Sequence, residues 1–256
     1  VTLAKRDTPA AVLRLLTIPI SHYCEKARWG LDHAGLQFRE EPHVQGVHRL
    51  YARRAGGGAT VPVLLTPAGA IGESEQILEW CDRALEPERR LFPEHQRAEV
   101  LTLSRRFDAV LGPCARRLIY VHMFAQPGLA LKYNNQGVPA WEERAIRHGL
   151  PVMRRFVGRA LGIAPGVELA DEAAVWREFD FVAGLLADGR RHLLGKRFTA
   201  ADLTFAALAA AVLLPPVYGW RLPEPEELQP GTRALVERAR AHPAGAYALA
   251  LSGHRK

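Results

Sequence analysis

Near residue 90 the apolar pattern of the chain changes period, and that change limits the architectures open to it. Upstream, short apolar runs alternate with helical spacings. Residues 12–18 and 38–44 read as strands. Between them, 23–34 carries a helical period stopped by Gly35, a residue suited to the position just past a helix end. A third strand is expected over 61–66, closed by the turn Pro67-Ala68-Gly69, and a short fourth over 70–72. Ser74 then opens a helix whose apolar face runs through Ile77, Leu78, Trp80, Cys81 and Leu85. The order is β-α-β, then a hairpin and a helix.

Residues 86–96, with Pro87 and Pro93 set among charged side chains, read as a linker. Beyond it the pattern is helical, with helices expected over 97–124, 141–161, 171–187, 200–214 and 232–241. Thr199 and Asp202 form a capping box ahead of an apolar run, the best single helix start in the chain. Residues 126–137 and 219–231 are rich in Pro, Gly and polar side chains and read as loops. No internal repeat or low-complexity tract is present. The expected organisation is an α/β unit over 12–86, a linker over 87–96 and an all-α unit over 97–256.

Composition narrows the function classes. A hydrophobic fraction of 48% with 24% charged residues fits a globular fold and excludes a mostly disordered or fibrous chain. The longest nearly apolar run, 203–216, is too short to span a bilayer and reads as a buried helix, so no membrane partner is expected. No basic segment followed by an apolar stretch and a cleavage site opens the chain, so no secretory signal is expected. Cys24, Cys81 and Cys114 are too few and scattered for a disulfide framework, and no pair has zinc-type spacing. They point to a reducing cytoplasm and to no metal. His43 and His48 lack neighbours in metal-ligand order, and no Gly-rich loop carries a phosphate-binding lysine. The net charge of +7 comes from arginine, since only five of the 34 basic residues are lysine. The arginines are spread as pairs with carboxylates between them, which reads as a solvated surface, with no nucleic-acid partner.

Three short constellations carry chemistry. In Ile20-Ser21-His22-Tyr23-Cys24, Ser21 and Cys24 stand one turn apart at a helix N-terminus, where free N–H groups and the helix dipole favour an anion. Ser21 can donate its hydroxyl to a bound thiolate, or serve simply as a helix cap with Cys24 as a small buried residue. In Thr60-Val61-Pro62-Val63-Leu64 the proline heads a strand without a donor. A cis Val61–Pro62 bond would leave the Val61 backbone free to pair with an extended peptide, while a trans proline would mark an edge strand. In Gly72-Glu73-Ser74-Glu75, Ser74 is expected to cap the next helix. Its N–H and hydroxyl would receive a carboxylate, and Glu73 an ammonium group. A capped helix with an acidic first turn accounts for the same residues.

Taken together, an S-x-x-C loop, V-P before the third strand and E-S before the third helix resemble the thioredoxin-like domain of soluble glutathione transferases. Leu91-Phe92-Pro93 resembles their domain joint, and Phe198-Thr199-Ala200-Ala201-Asp202-Leu203 the internal capping motif of their helical domain. The resemblance covers the chain from Leu13 onward. It implies a thioredoxin-like α/β domain followed by an all-α bundle, glutathione as co-substrate, a hydrophobic electrophile, detoxification and a homodimer. Ser21 falls where serine-type classes place the hydroxyl that steadies the thiolate. With Arg28-Trp29 aligned to the similar pair of tyrosine-type classes, their tyrosine falls on Thr17. Val61 and Pro62 would hold the cysteinyl backbone, and Glu73 and Ser74 the γ-glutamyl end. The glycine carboxylate has no counterpart to its usual anchor, because residues 56–58 are all glycine; His48, Arg49, Arg53 and Thr60 are the candidates. Tyr23, Arg116, Tyr120, His122, Met123 and Phe124 would wall the electrophile site. A member without turnover, acting as a binding or regulatory module, and a glutathione-dependent disulfide reductase through Cys24 remain as alternatives.

Overall fold

The computed structural model describes residues 12–253 and 255. The opening stretch, read above for a targeting signal, lies outside the described residues. The first unit holds β1 (Leu13–Thr17), α1 (His22–His33), β2 (Phe38–Pro42), α2 (His48–Arg54), β3 (Val63–Thr66), β4 (Gly69–Ile71) and α3 (Ser74–Asp82). The strands lie in the order β2-β1-β3-β4, with β1 parallel to β2 and β3 antiparallel to both its neighbours. This is the thioredoxin-like arrangement that the family resemblance implies. β3 begins two residues later than expected, because Pro62 has no N–H to give to β1; the Val61–Pro62 bond is cis.

The second unit is helical: α4 (Arg97–Ala109), α5 (Leu111–Ala125), α6 (Pro127–Asn134), α7 (Ala140–Leu161), α8 (Val167–Leu186), α9 (Ala200–Leu213), α10 (Pro230–Ala241) and α11 (Pro243–Gly253). Four expectations are corrected. The helix expected over 97–124 is two, broken at Val110, because Pro113 brings no N–H and its ring would meet the carbonyl of Ala109. Residues 126–137 contain α6, whose first residue is Pro127, a good helix opener. α2 and α11 were not read as helices: α2 is one short stretch with a single buried residue, and α11 is apolar on every side. Finally Glu73, not Ser74, caps α3, since the Glu73 carbonyl accepts from Ile77 N at 3.1 Å; Ser74 is the first helical residue.

α9 is the axis of the molecule. All its residues except Ala211 are buried, and its alanines let α1, α4 and α5 approach closely. Its first turn is closed by the expected capping box, in which Asp202 accepts from Thr199 N at 2.7 Å and from Leu193 N at 2.8 Å. The segment between the two units is held by the same core. Leu91 and Phe92 are buried, their N–H groups donate to Asp82, and Leu91 O accepts from Ala200 N at 2.9 Å. No described helix is long and apolar enough to cross a membrane.

Candidate active site at the seam between the two units

The loop from β1 to α1 is set by a buried cation. Arg28, one turn into α1, donates to Pro19 O at 3.0 Å and to Glu40 at 2.7 Å, and pairs with Glu25 at 3.1 Å. Trp220 and Gly219, from the far end of the chain, bond to the same two carboxylates. The loop is thus fixed from behind, and Ser21 is the residue it presents. Ser21 has extended backbone and caps α1, its Oγ accepting from Cys24 N at 3.3 Å. An oxygen that accepts from the backbone keeps its own proton free for a further acceptor. Thr17, by contrast, is fully buried, gives its hydroxyl to Glu40 at 2.5 Å and lies off the cavity.

Ser21 opens onto a cavity of about 320 Å³ between the two units. One wall comes from the first unit, with Tyr23, His48, Arg49, Thr60 and Val61; the opposite wall is α5, with Arg116, Ile119, Tyr120, His122 and Met123. Leu214, Tyr218 and Leu222 close one end, and Phe156 and Leu161 of α7 another. The structure therefore brings Ser21, Thr60, Val61 and His48 together with Tyr23, Arg116, Tyr120 and Met123. Pro62, Glu73, Ser74 and Arg53 lie off this lining, as does Phe124, which turns away against Arg154. Ser74 is buried and Glu73 exposed at the head of α3.

Within the glycine run beside Val61, Gly57 is closely packed while Gly56 and Gly58 are exposed. A Cβ on Gly57 would stand 2.4 Å from the Val63 side chain, and one on Gly72 would stand 2.8 Å from Gly57 O. Gly56 and Gly58 adopt φ of +80° and +86°, conformations that side chains resist. The run folds under β3 against Gly72 and carries Thr60 and Val61 to the cavity.

Electrostatics sort the lining residues. Burial pushes His22 down to about 3, and His48 down to about 4; burial also lowers His122. His48 Nδ1 accepts from Gly46 N at 3.2 Å, and His122 Nδ1 faces the Thr232 hydroxyl at 3.0 Å. The histidines are therefore neutral at pH 7, and among the described residues no Asp or Glu lines the cavity. Its charge comes from Arg49 and Arg116. Burial raises the Tyr23 and Tyr120 hydroxyls. Tyr23 donates to Asp108 O at 3.0 Å and so offers mainly its ring, whereas Tyr120 accepts from Gln45 at 2.9 Å and keeps its own proton to donate. Cys24 is buried and its thiol is raised by that burial, so it is a poor nucleophile.

The second unit also braces the first at the α2 side. Glu142, fully buried, accepts from Val44 N at 3.0 Å and meets His43 Nδ1 at 2.8 Å; Gln45 and Asn134 form a reciprocal amide pair, closed at 2.6 Å. Neither Gln45 nor the Arg28 cluster was singled out from sequence. Their partners lie 85 or more residues away for Gln45–Asn134 and for Glu25–Gly219, beyond any local pattern.

Residues 15–89 match the family model described as the glutathione S-transferase N-terminal domain. No curated relative matches the chain by sequence. Among solved structures, a glutathione transferase of Phanerochaete chrysosporium superposes with a TM-score of 0.65 at 18% identity, over 96% of this chain and 98% of that one. A glutathione S-transferase of Ceriporiopsis subvermispora in complex with glutathione gives 0.65 at 17% identity, with the same coverage of 96% and 98%. The beta-etherase LigF of Sphingobium sp. strain SYK-6 gives 0.58 at 18% identity, over 94% and 99%. The described residues therefore have the fold of the glutathione transferases, and the first unit matches the model of their N-terminal domain.

Proposed function

We propose that this protein is a glutathione transferase of the serine type, in which Ser21 steadies the glutathione thiolate for attack on a hydrophobic electrophile. The observation that carries the reading is Ser21 itself. Its hydroxyl caps α1, keeps its proton free and faces a cavity lined by no carboxylate among the described residues. A free thiol is only a few per cent ionised at neutral pH, and the thiolate is the nucleophile. A hydrogen bond to the anion, together with the helix dipole, favours it by about 2–3 kcal/mol, or roughly two pKa units. In the step that follows, sulfur bonds to the electrophilic carbon, the leaving group departs with its electron pair, and the thiol proton goes to solvent.

In this reading the peptide lies along Val61, with its γ-glutamyl end at Glu73 and Ser74. The glycine carboxylate meets Arg49. Of the four candidates for that role, Arg53 is off the cavity, His48 is neutral, and Thr60 carries no charge. The raised thiol of buried Cys24 argues against a disulfide reductase. A cytoplasmic homodimer, acting in detoxification, completes the proposal; sedimentation of the purified chain tests the dimer.

The decisive test is retention on immobilised glutathione, followed by turnover of 1-chloro-2,4-dinitrobenzene by wild type and Ser21→Ala. Retention with a kcat/KM that falls about thirty- to a hundredfold in the variant is expected, matching the energy above. Retention without Ser21-dependent turnover would favour the silent module, and failure of both would sink the glutathione assignment.

A further inference from the structure

We propose that the cavity selects an anionic co-substrate, an apolar or aromatic electrophile bearing a carboxylate or sulfonate that pairs with Arg116; this rests on the glutathione reading above. Arg116 stands on α5, on the wall opposite Val61, with its guanidinium 5.7 Å from the Tyr23 ring centroid. Its Nε is buried and has no hydrogen-bond partner among the described residues, and its guanidinium forms no ion pair among them. The arginines around it behave differently. Arg117, the next residue, pairs with Asp171 at 2.5 Å, and Arg106, one helix earlier, pairs with Glu178 at 2.9 Å.

A buried N–H left unmade is costly, and a guanidinium offers a planar fork that fits carboxylate or sulfonate oxygens. Among the described residues nothing lining the cavity can supply such oxygens, since none of them is Asp or Glu. The cavity that Arg116 enters is also lined by Tyr23, Ile119, Tyr120 and Met123, which suit an apolar body attached to the anion. Glutathione brings carboxylates of its own, but the reading above meets them at Arg49 and at the head of α3. Arg116 is left for the second substrate.

The test pairs two probes that differ only in charge, 3,5-dinitrobenzoate and its methyl ester, titrated by calorimetry into wild type, Arg116→Gln and Arg116→Lys. Thermal melting shows whether each variant is folded. Wild type should bind the carboxylate at least about tenfold more tightly than the ester, as a charge-assisted hydrogen bond implies. That preference should vanish in Arg116→Gln and return largely in Arg116→Lys, which restores the charge. Equal binding of the two probes, binding of neither, or a preference that survives in Arg116→Gln would each overturn the proposal. A parallel arm follows glutathione-dependent release of chloride from 4-chloro-3,5-dinitrobenzoate and its methyl ester in wild type and Ser21→Ala. There sulfur bonds to the chlorine-bearing ring carbon, chloride leaves with the bonding pair, and the thiol proton goes to solvent. No Ser21-dependent release from either compound sinks the glutathione reading, while the calorimetry still decides the anion preference.

Discussion

A Cβ placed on Gly112 would stand 2.2 Å from the Tyr23 hydroxyl and 2.7 Å from the ring carbon that bears it, both far inside van der Waals contact. Tyr23 has little room to retreat, because its hydroxyl is tied to Asp108 O and its ring forms the cavity wall. Gly112→Ala should therefore cost about 1–3 kcal/mol in chemical denaturation. Much of that cost should disappear in a Tyr23→Phe background, so that a double-mutant cycle returns a coupling of roughly 1 kcal/mol. Additive effects would mean that the close approach is not what restricts the position. His22, beside Ser21, gives a pH-dependent counterpart. It is buried, its Nε2 has no partner among the described residues, and burial holds it at about 3, well below its ordinary value of 6.5. The unfolded chain binds this proton as pH falls below about 6.5, whereas the folded chain does not until about pH 3. Stability owed to neutral His22 is therefore complete above pH 6.5 and drains away toward pH 3. Urea titrations of wild type and His22→Phe should show the advantage of wild type shrinking by up to about 1.4 kcal/mol per pH unit across that window. A difference independent of pH would mean that His22 titrates normally.

At the scale of elements, the start of α9 concentrates several bonds on one carboxylate. Asp202 takes N–H groups from Thr199 and Leu193 and the hydroxyl of Tyr247 at 2.5 Å, all within the buried core. Asp202→Ala leaves those donors unmade and should cost well over 3 kcal/mol at about 1–3 kcal/mol per unsatisfied group. Thr199→Ala, which loses only one cap, should cost about 1 kcal/mol. Equal losses in the two variants, read from denaturation midpoints, would contradict this division of roles. This helix start was plain in the sequence because its two residues are three apart and precede an uninterrupted apolar run. β1, β3 and α1 were legible for the same reason, as short apolar runs with clear stops. α6 and α11 were not, since α6 is short and opens on Pro127-Gly128, which read as a loop, while α11 has no polar face to mark its period. Ser21, Thr60, Val61 and Tyr23 could be picked out because they flank element boundaries. His48, Arg49 and Arg53 could not be separated by sequence, since which of them line the cavity depends on the face that α2 turns to it; the first two do and Arg53 does not.

At the scale of the whole molecule, the cavity exists only while the two units stay docked, and among the ion pairs across their seam one buried pair adjoins it. Lys26 of α1 has a side chain with no exposure and meets Asp108 of α4 at 2.7 Å. Asp108 also supplies the carbonyl that takes the Tyr23 hydroxyl, so the pair adjoins the wall of the cavity. Removing the carboxylate alone leaves an uncompensated charge in a dry place, which costs about 3–5 kcal/mol, whereas replacing both partners by apolar groups of similar size is often near neutral. Asp108→Leu should accordingly be strongly destabilising, and Lys26→Met with Asp108→Leu should recover most of the loss. Whether the units separate or unfold as one can be read from probes in each. Trp29 of α1 is buried in the core that α9 shares, and Trp176 of α8 packs against Phe179 in the second unit. Since Leu91, Phe92 and Trp29 belong to the same core as α4, α5 and α9, loss of either unit strips apolar surface from the other. Fluorescence variants that keep one tryptophan at a time should therefore give coincident urea transitions in wild type and in the double variant. Two separated transitions, with the Trp29 signal lost first, would mean that the first unit unfolds on its own and that the seam contributes less than its buried contacts imply.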